Sequence, residues 1–267
     1  PRDTEAAGHV FQMAESRQAE RVEIKLDGLW QVARYDDPNM DVDTYEPVRA
    51  LPKPEEYELR WMAFDVPGDP WQVEPLVFGH RLIYRTRVHV PDSHRGRGFK
   101  LHFSGTNWIA SVFVNGRLAG THKGVWVPWD LDVSEFVRAG QVNEIAVAIK
   151  GTYYAFDPKG LGNDTLMNLR NRPLSRKDWT RWVAPMYPST KGDGDGYIYG
   201  IVNPVRLISV GQVYTEDVFI KPSVAQKRLE TEATVRNTTG TGQSLEVTCE
   251  AVSDATGAVE KRFGPVQ

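Results

Sequence analysis

The sequence predicts an all-β chain whose larger part is a jelly-roll sandwich. Three observations carry that expectation. Many short runs alternate apolar and polar residues with the two-residue period of strands. An Asn-Gly dipeptide separates two such runs, as a tight hairpin requires. Only DVSEFVRAG, at 132–140, carries a helical signal, and it is one turn long.

Taken in order, residues 1–21 are polar and aperiodic and read as a loosely held arm. From Leu26 the pattern is β. In IYRTRVHVP (83–91), Tyr84, Thr86, Val88 and Val90 fall on one face against Arg85, Arg87 and His89. FKLHFSG repeats the signal, with Phe99, Leu101 and Phe103 opposed to Lys100 and His102. Both read as half-buried antiparallel strands. SVFV and RLAG flank Asn115-Gly116, which suits a type I′ turn with positive φ at both centres. Trp126 and Trp129 then bracket Pro128, spaced so that one ring enters the core. In the helical turn, Asp132 is placed to cap with Glu135 three residues on, and Gly140 stands where a left-handed residue closes the turn. NEIAVAIK follows as a strand with Ile145, Val147 and Ile149 inward. Strand, hairpin, turn and strand together give the jelly-roll expectation.

Composition bounds the function. The 267 residues, 40% of them hydrophobic, suffice for a substantial core. With 32 basic against 35 acidic residues and no long block of like charge, nothing marks a nucleic-acid surface or a basic membrane patch. Apolar runs such as IAVAI (145–149) are far shorter than a membrane helix needs. One cysteine, Cys249, excludes an internal disulfide and a multi-thiolate metal site. The chain starts at Pro1 rather than methionine, which suggests a processed or trimmed terminus. His102 and His122 read as strand-face residues rather than metal ligands. No Gly-x-Ser-x-Gly, His-Glu-x-x-His or phosphate-loop pattern is present.

Residues 151–199 interrupt the strand pattern with nearly fifty residues rich in Gly, Asp, Pro and aromatics. Insertions of that length are usually functional, with domain packing as the plainer alternative. Trp179, Trp182, Tyr187, Tyr197 and Tyr199 stand beside Asp193 and Asp195. Aromatic faces near carboxylates suit a sugar, whose C–H faces stack while its hydroxyls donate. Trp179, Trp182, Tyr197, Asp193 and Asp195 are therefore the candidate substrate-binding residues. A calcium loop is not supported, because Tyr197 occupies a ligand position and no glutamate closes the pattern. No metal or cofactor is expected.

After Val210, VYTEDVFIKPSV, LETEATVRN, SLEVTCEAVS and TGAVEKRFG read as four further strands, with Cys249 as a small core residue.

Four segments in order resemble the N-terminal jelly-roll, sugar-binding domain of glycoside hydrolase family 2, the family of β-galactosidases, β-glucuronidases and β-mannosidases. They are Val114-Asn115-Gly116, the run from Val125 to Leu131, Gly140-Gln141-Val142-Asn143, and the run from Gly200 to Val205. Val202-Asn203 stand where the family carries an aromatic-Arg pair, and Gly124 stands one place before the expected glycine. The resemblance implies a galactose-binding-like sandwich over 22–210 with a long loop at 151–199, then part of an immunoglobulin-like sandwich over 211–267. It implies that the chain is a fragment of a glycosidase whose two catalytic glutamates lie on a C-terminal (β/α)₈ barrel, so this chain has no catalytic residue of its own. The implied partners are that barrel and, through the full-length parent, a carbohydrate substrate. In some family members an acidic residue from the loop before the Gly-Ile segment reaches the active site, and Asp193 and Asp195 are the matching positions. A free-standing carbohydrate-binding module and a purely structural β module are the alternatives.

Overall fold

A computed structural model of the chain describes residues 2–16, 21–35, 46–70, 73, 76, 81–124, 126–150 and 200–266. The chain divides into two compact units, Pro1–Gly211 and Gln212–Gln267.

The first unit opens with a helix, α1 (Arg2–Gly8), and a two-residue strand, β1 (Phe11–Gln12). The strands that follow are β2 (Val22–Lys25), β3 (Gly28–Arg34), β4 (Met62–Val66), β5 (Arg81–Val90) and β6 (Gly98–Phe103). Next come β7 (Thr106–Val114), β8 (Arg117–Gly124), β9 (Trp129–Asp132), β10 (Gln141–Lys150), β11 (Gly200–Ile201) and β12 (Val205–Val210). They form two sheets. The larger runs β11-β7-β10-β5-β3-β4, with β1 added on β5 and β8 on β7. The smaller runs β2-β12-β6-β9. Every pairing is antiparallel except β1 with β5. This is an all-β sandwich.

The core lies between the sheets and follows the alternation of the strands. Trp30, Val32, Tyr84, Val88, Val112 and Val147 come from the larger sheet, and Leu101, Phe103 and Leu207 from the smaller. β10 departs from simple alternation, since Ile145, Val147 and Ile149 enter this core while Ala146 and Ala148 pack into a second cluster on the outer face. That outer cluster is covered by Leu51, Tyr57, Leu59 and Trp61. A strand buried on both faces reads as a continuous apolar run, which is why IAVAI looks as it does.

The N-terminal residues are held more firmly than their polar composition suggests. Phe11 pairs with Val88, Met13 is buried in the main core, and Asp3 accepts the backbone N–H of Ala63 at 2.7 Å. His94, fully buried, lies 2.8 Å from the Ala14 carbonyl through Nε2 and 2.8 Å from Ser209 Oγ through Nδ1. His94 Nε2 faces a carbonyl and therefore carries a hydrogen, and Arg97 Nε donates to the same Ser209 oxygen. Anchoring by backbone pairing and by one distant histidine leaves no periodic signal in the anchored segment itself.

The predicted turns form with local adjustments. Asn115 (φ 52) and Gly116 (φ 78) are both left-handed, as a type I′ hairpin needs. At 132–140 the chain makes one turn and no helix. Asp132 accepts Ser134 N–H at 2.9 Å, and Val133 O accepts from Phe136 and Val137. Gly140 is left-handed at φ 76.

In the second unit, β13 (Val213–Ser223) pairs with β14 (Arg228–Asn237), and β15 (Val247–Val252) with β16 (Val259–Val266), as two antiparallel ladders. Phe219, Ile220, Leu229 and Phe263 are exposed, and so is Cys249. The expectation that Cys249 is a core residue therefore fails: it alternates correctly along its strand, but among the described residues no layer covers that face.

Candidate functional site

The start of β7 organises one end of the first unit. β10 ends where Lys150 pairs with Ile109, and β11 begins where Gly200 pairs with Asn107. The chain thus leaves β7 and returns to it two residues apart, and the intervening segment is 151–199. Asp193, Asp195, Trp179, Trp182 and Tyr197 all belong to that segment and lie outside the described residues. The structure describes their anchor points.

Asn107 is buried, and its Oδ1 accepts the backbone N–H of Trp126 at 3.0 Å. Trp126 adopts φ 60, a conformation that costs a bulky residue energy unless neighbours enforce it. Its side chain is 45% exposed and the next residue, Val127, 56%. Trp129 behaves in the opposite way. Its ring stacks on Phe103 at 4.5 Å and on His122 at 4.5 Å, and its Nε1–H donates to Thr106 Oγ1 at 3.0 Å. Of the two tryptophans read from sequence, Trp129 is the one that packs against the core. The turn through Pro128 presents Trp126 outward.

His122 stacks on Trp129 with no hydrogen bond to its buried Nε2 among the described residues, and burial lowers its pKa from the ordinary value. It is a neutral packing ring. On the smaller sheet, His102 Nδ1 lies 2.6 Å from Asp130 Oδ1, its directly opposed cross-strand neighbour, and Ser104 Oγ lies 3.3 Å from His102 Nε2. Ser104 N–H is already committed to the Pro204 carbonyl at 2.9 Å. This row supports the strand pairing of β6 with β9.

The return point is tightly constrained. Gly200 has φ 108, and a Cβ there would lie 2.3 Å from the Tyr84 hydroxyl. Burial pushes that phenol well above its ordinary pKa and outweighs the opposing pull of the Ile201 backbone. Tyr84 is therefore a permanent neutral wall behind Gly200. Sequence reading identified Trp126, Trp129 and the Gly-Ile segment. It missed Asn107, whose only signal was a polar residue at a buried strand start. Among the described residues no group of His, Cys, Asp and Glu could hold a metal.

Residues 71–181 match the model of the glycosyl hydrolase 2 galactose-binding domain-like family. A β-galactosidase of Thermoanaerobacter pseudethanolicus is 36% identical over 67 residues, which is 25% of this chain and 9% of that relative. A β-galactosidase of Thermoanaerobacterium thermosulfurigenes is 29% identical over 79 residues, 29% of this chain and 11% of the relative. The structure of Ruminococcus gnavus β-glucuronidase in complex with uronic isofagomine superposes with a TM-score of 0.63 at 18% identity, covering 96% of this chain and 38% of that one. That likeness is one of fold. The chain thus spans well under half of the solved glycosidase and matches about a tenth of each curated relative.

Proposed function

We propose that this chain, whose residues 71–181 match the model of the glycosyl hydrolase 2 galactose-binding domain-like family, is the non-catalytic N-terminal region of a glycosidase and shapes one wall of an active site on a C-terminal barrel. One observation carries the reading: Lys150 and Gly200, the residues that flank 151–199, pair with Ile109 and Asn107 at the start of β7, and Asn107 accepts the backbone N–H of the outward-facing Trp126. Long insertions carried on a rigid sheet are usually functional. On this reading Trp179, Trp182 and Tyr197 offer aromatic faces, and Asp193 or Asp195 accepts sugar hydroxyls. Residues 22–210 form the sandwich domain and 211–267 the immunoglobulin-like part. The substrate is a carbohydrate with an O-glycosidic bond.

Retaining hydrolysis needs two carboxylic acids about 5 Å apart, and on this reading the barrel supplies both. The 267-residue chain is therefore expected to hydrolyse no nitrophenyl galactoside, glucuronide or mannoside. Turnover above blank would overturn the proposal. Titration calorimetry separates the alternative, because a sugar touched from one side only stays hydrated and gains little. Micromolar binding of a mono- or oligosaccharide by this chain would make it an independent carbohydrate-binding module instead.

A further inference from the structure

On the outer face of the larger sheet, away from the β7 end, α1, β3, β5 and β10 enclose a cavity of about 190 Å³. Its polar lining is His9, Gln31, Arg85, Thr86, Arg87 and Glu144, with Ala6 and Ala7 contributing from the end of α1. Arg85 and Arg87 sit two residues apart on one strand, so their side chains share this face. Glu144 is the cross-strand partner of Arg87, and Gln31 that of Arg85.

The cavity holds its charges in fixed positions. Arg85 lies over the Trp61 ring at 3.8 Å and donates from Nε to Gln31 Oε1 at 2.8 Å, which leaves the outer edge of its guanidinium free to donate. Arg87 donates to the Ala7 carbonyl and so fastens α1 over the cavity. Among the described residues neither arginine has a carboxylate within ion-pair distance. Burial draws the Arg85 guanidinium below its ordinary value, Glu144 opposes this, and Arg87 adds to it. Two arginines against one glutamate leave one positive charge uncompensated in a confined space. Partly buried cations of this kind are strongly favoured by an anion that can take their donors in pairs.

We propose that this cavity is a binding site for a small hydroxylated monocarboxylate, independent of the glycosidase reading. Its carboxylate takes the free edges of Arg85 and Arg87 and brings the cavity to neutrality. Its hydroxyls donate to Glu144 and accept from the amide nitrogen of Gln31. Because α1 forms one wall and is tied down by Arg87, occupancy also holds the N-terminal helix on the sheet.

Calorimetry on the 267-residue chain with sodium gluconate, sodium acetate and sorbitol tests this. Gluconate is expected to bind saturably with a Kd of about 1 mM or tighter, acetate more weakly, and sorbitol not at all. Arg85→Gln should weaken gluconate at least about tenfold, and Arg85→Lys, which keeps the charge but not the fork, should weaken it less. Glu144→Gln removes a repelling charge and should tighten acetate severalfold, an effect that a loss of folding cannot imitate. Thermal melts check that each variant is folded. No saturable gluconate binding, sorbitol binding equal to gluconate, or unchanged affinity in folded Arg85→Gln would each overturn the site.

Discussion

Asn115 Nδ2 donates to Asn143 Oδ1 at 2.8 Å and joins two sequence motifs 28 residues apart. Each amide does more than that. Asn115 Nδ2 also reaches the Phe136 carbonyl at 2.8 Å, while its Oδ1 accepts Glu144 N–H at 3.0 Å. Asn143 Oδ1 accepts Arg138 N–H at 2.7 Å, and its Nδ2 donates to the Arg138 and Gln141 carbonyls at 2.9 and 3.1 Å. The hairpin, the turn at 132–140 and the start of β10 are thereby one unit. Asn143→Leu should destabilise the first unit by about 2–4 kcal/mol, because it strands several buried backbone groups. Asn115→Gly keeps the left-handed turn and should cost about 1–3 kcal/mol through lost hydrogen bonds. Urea melts of the two variants measure both.

Gly200 and Gly116 offer a paired test of strain against crowding. Both have positive φ, at 108 and 78, but a Cβ at Gly116 meets nothing within 4 Å while one at Gly200 meets the Tyr84 hydroxyl at 2.3 Å. Gly116→Ala should cost about 1 kcal/mol from backbone strain alone. Gly200→Ala should cost about 2–4 kcal/mol, since overpacking is added. Adding Tyr84→Phe removes the clashing oxygen and should recover part of the loss only at Gly200, which a double-mutant cycle reads directly.

His122 predicts a pH dependence with a definite sign. Its folded pKa lies below the ordinary value of 6.5 because burial disfavours the cation. Above 6.5 the ring is neutral folded and unfolded, and contributes no pH dependence. As pH falls through 6.5 toward the lowered folded value, the unfolded chain binds a proton that the folded chain resists, so stability is lost. His122→Phe keeps an aromatic ring in the stack between Trp129 and solvent and removes the titration. Melting temperatures followed from pH 7.5 to 5 should fall less steeply for that variant. An unchanged slope would mean that the ring charges freely in the folded state.

The two tryptophans differ in what they contribute to stability. Trp129 is stacked between Phe103 and His122 with its indole N–H satisfied, so Trp129→Ala should cost about 3–5 kcal/mol. Trp126 is 45% exposed, and Trp126→Ala should change stability by under about 1 kcal/mol, partly offset by the loss of a bulky residue at positive φ.

Legibility from sequence followed the physics of each element. β5 from Tyr84 onward and β6 were readable because fully buried residues alternate with partly exposed ones, which prints a period of two. The turn at Asn115-Gly116 was readable because two consecutive left-handed residues restrict composition severely. What escaped depends on partners far along the chain. Docking of residues 2–14 rests on β4, β5 and His94, and no local pattern encodes contacts 60 to 80 residues away. Asn107 escaped because a single buried amide inside an apolar strand has no periodicity. The single turn at 132–140, by contrast, was readable because its cap is local, Asp132 before Ser134. The outer-face cavity escaped because Arg85 and Arg87 look like ordinary outward strand residues until α1 and Trp61 cover them.

Asp193 and Asp195 give the decisive prediction for the full-length parent. If one of them accepts sugar hydroxyls beside the scissile bond, its charge-assisted hydrogen bonds tighten as the oxocarbenium-like transition state forms. Alanine at that position should then lower kcat/KM far more than it lowers the melting temperature. Loss of one such contact to a charged group costs about 1.5–3 kcal/mol, or roughly ten- to a hundredfold in rate. Both aspartates could instead serve only a Gly-Asp-Gly turn, in which case alanine shifts the melting temperature slightly and leaves turnover alone. Trp126→Ala provides an internal reference, because it alters the sheet end beside Asn107 and keeps both aspartates in the sequence. Steady-state kinetics of the two single mutants and the double mutant separate the readings. Normal kcat/KM in all three rejects the carboxylate site and leaves 151–199 as interdomain packing, whereas a loss confined to one single mutant identifies which aspartate reaches the sugar.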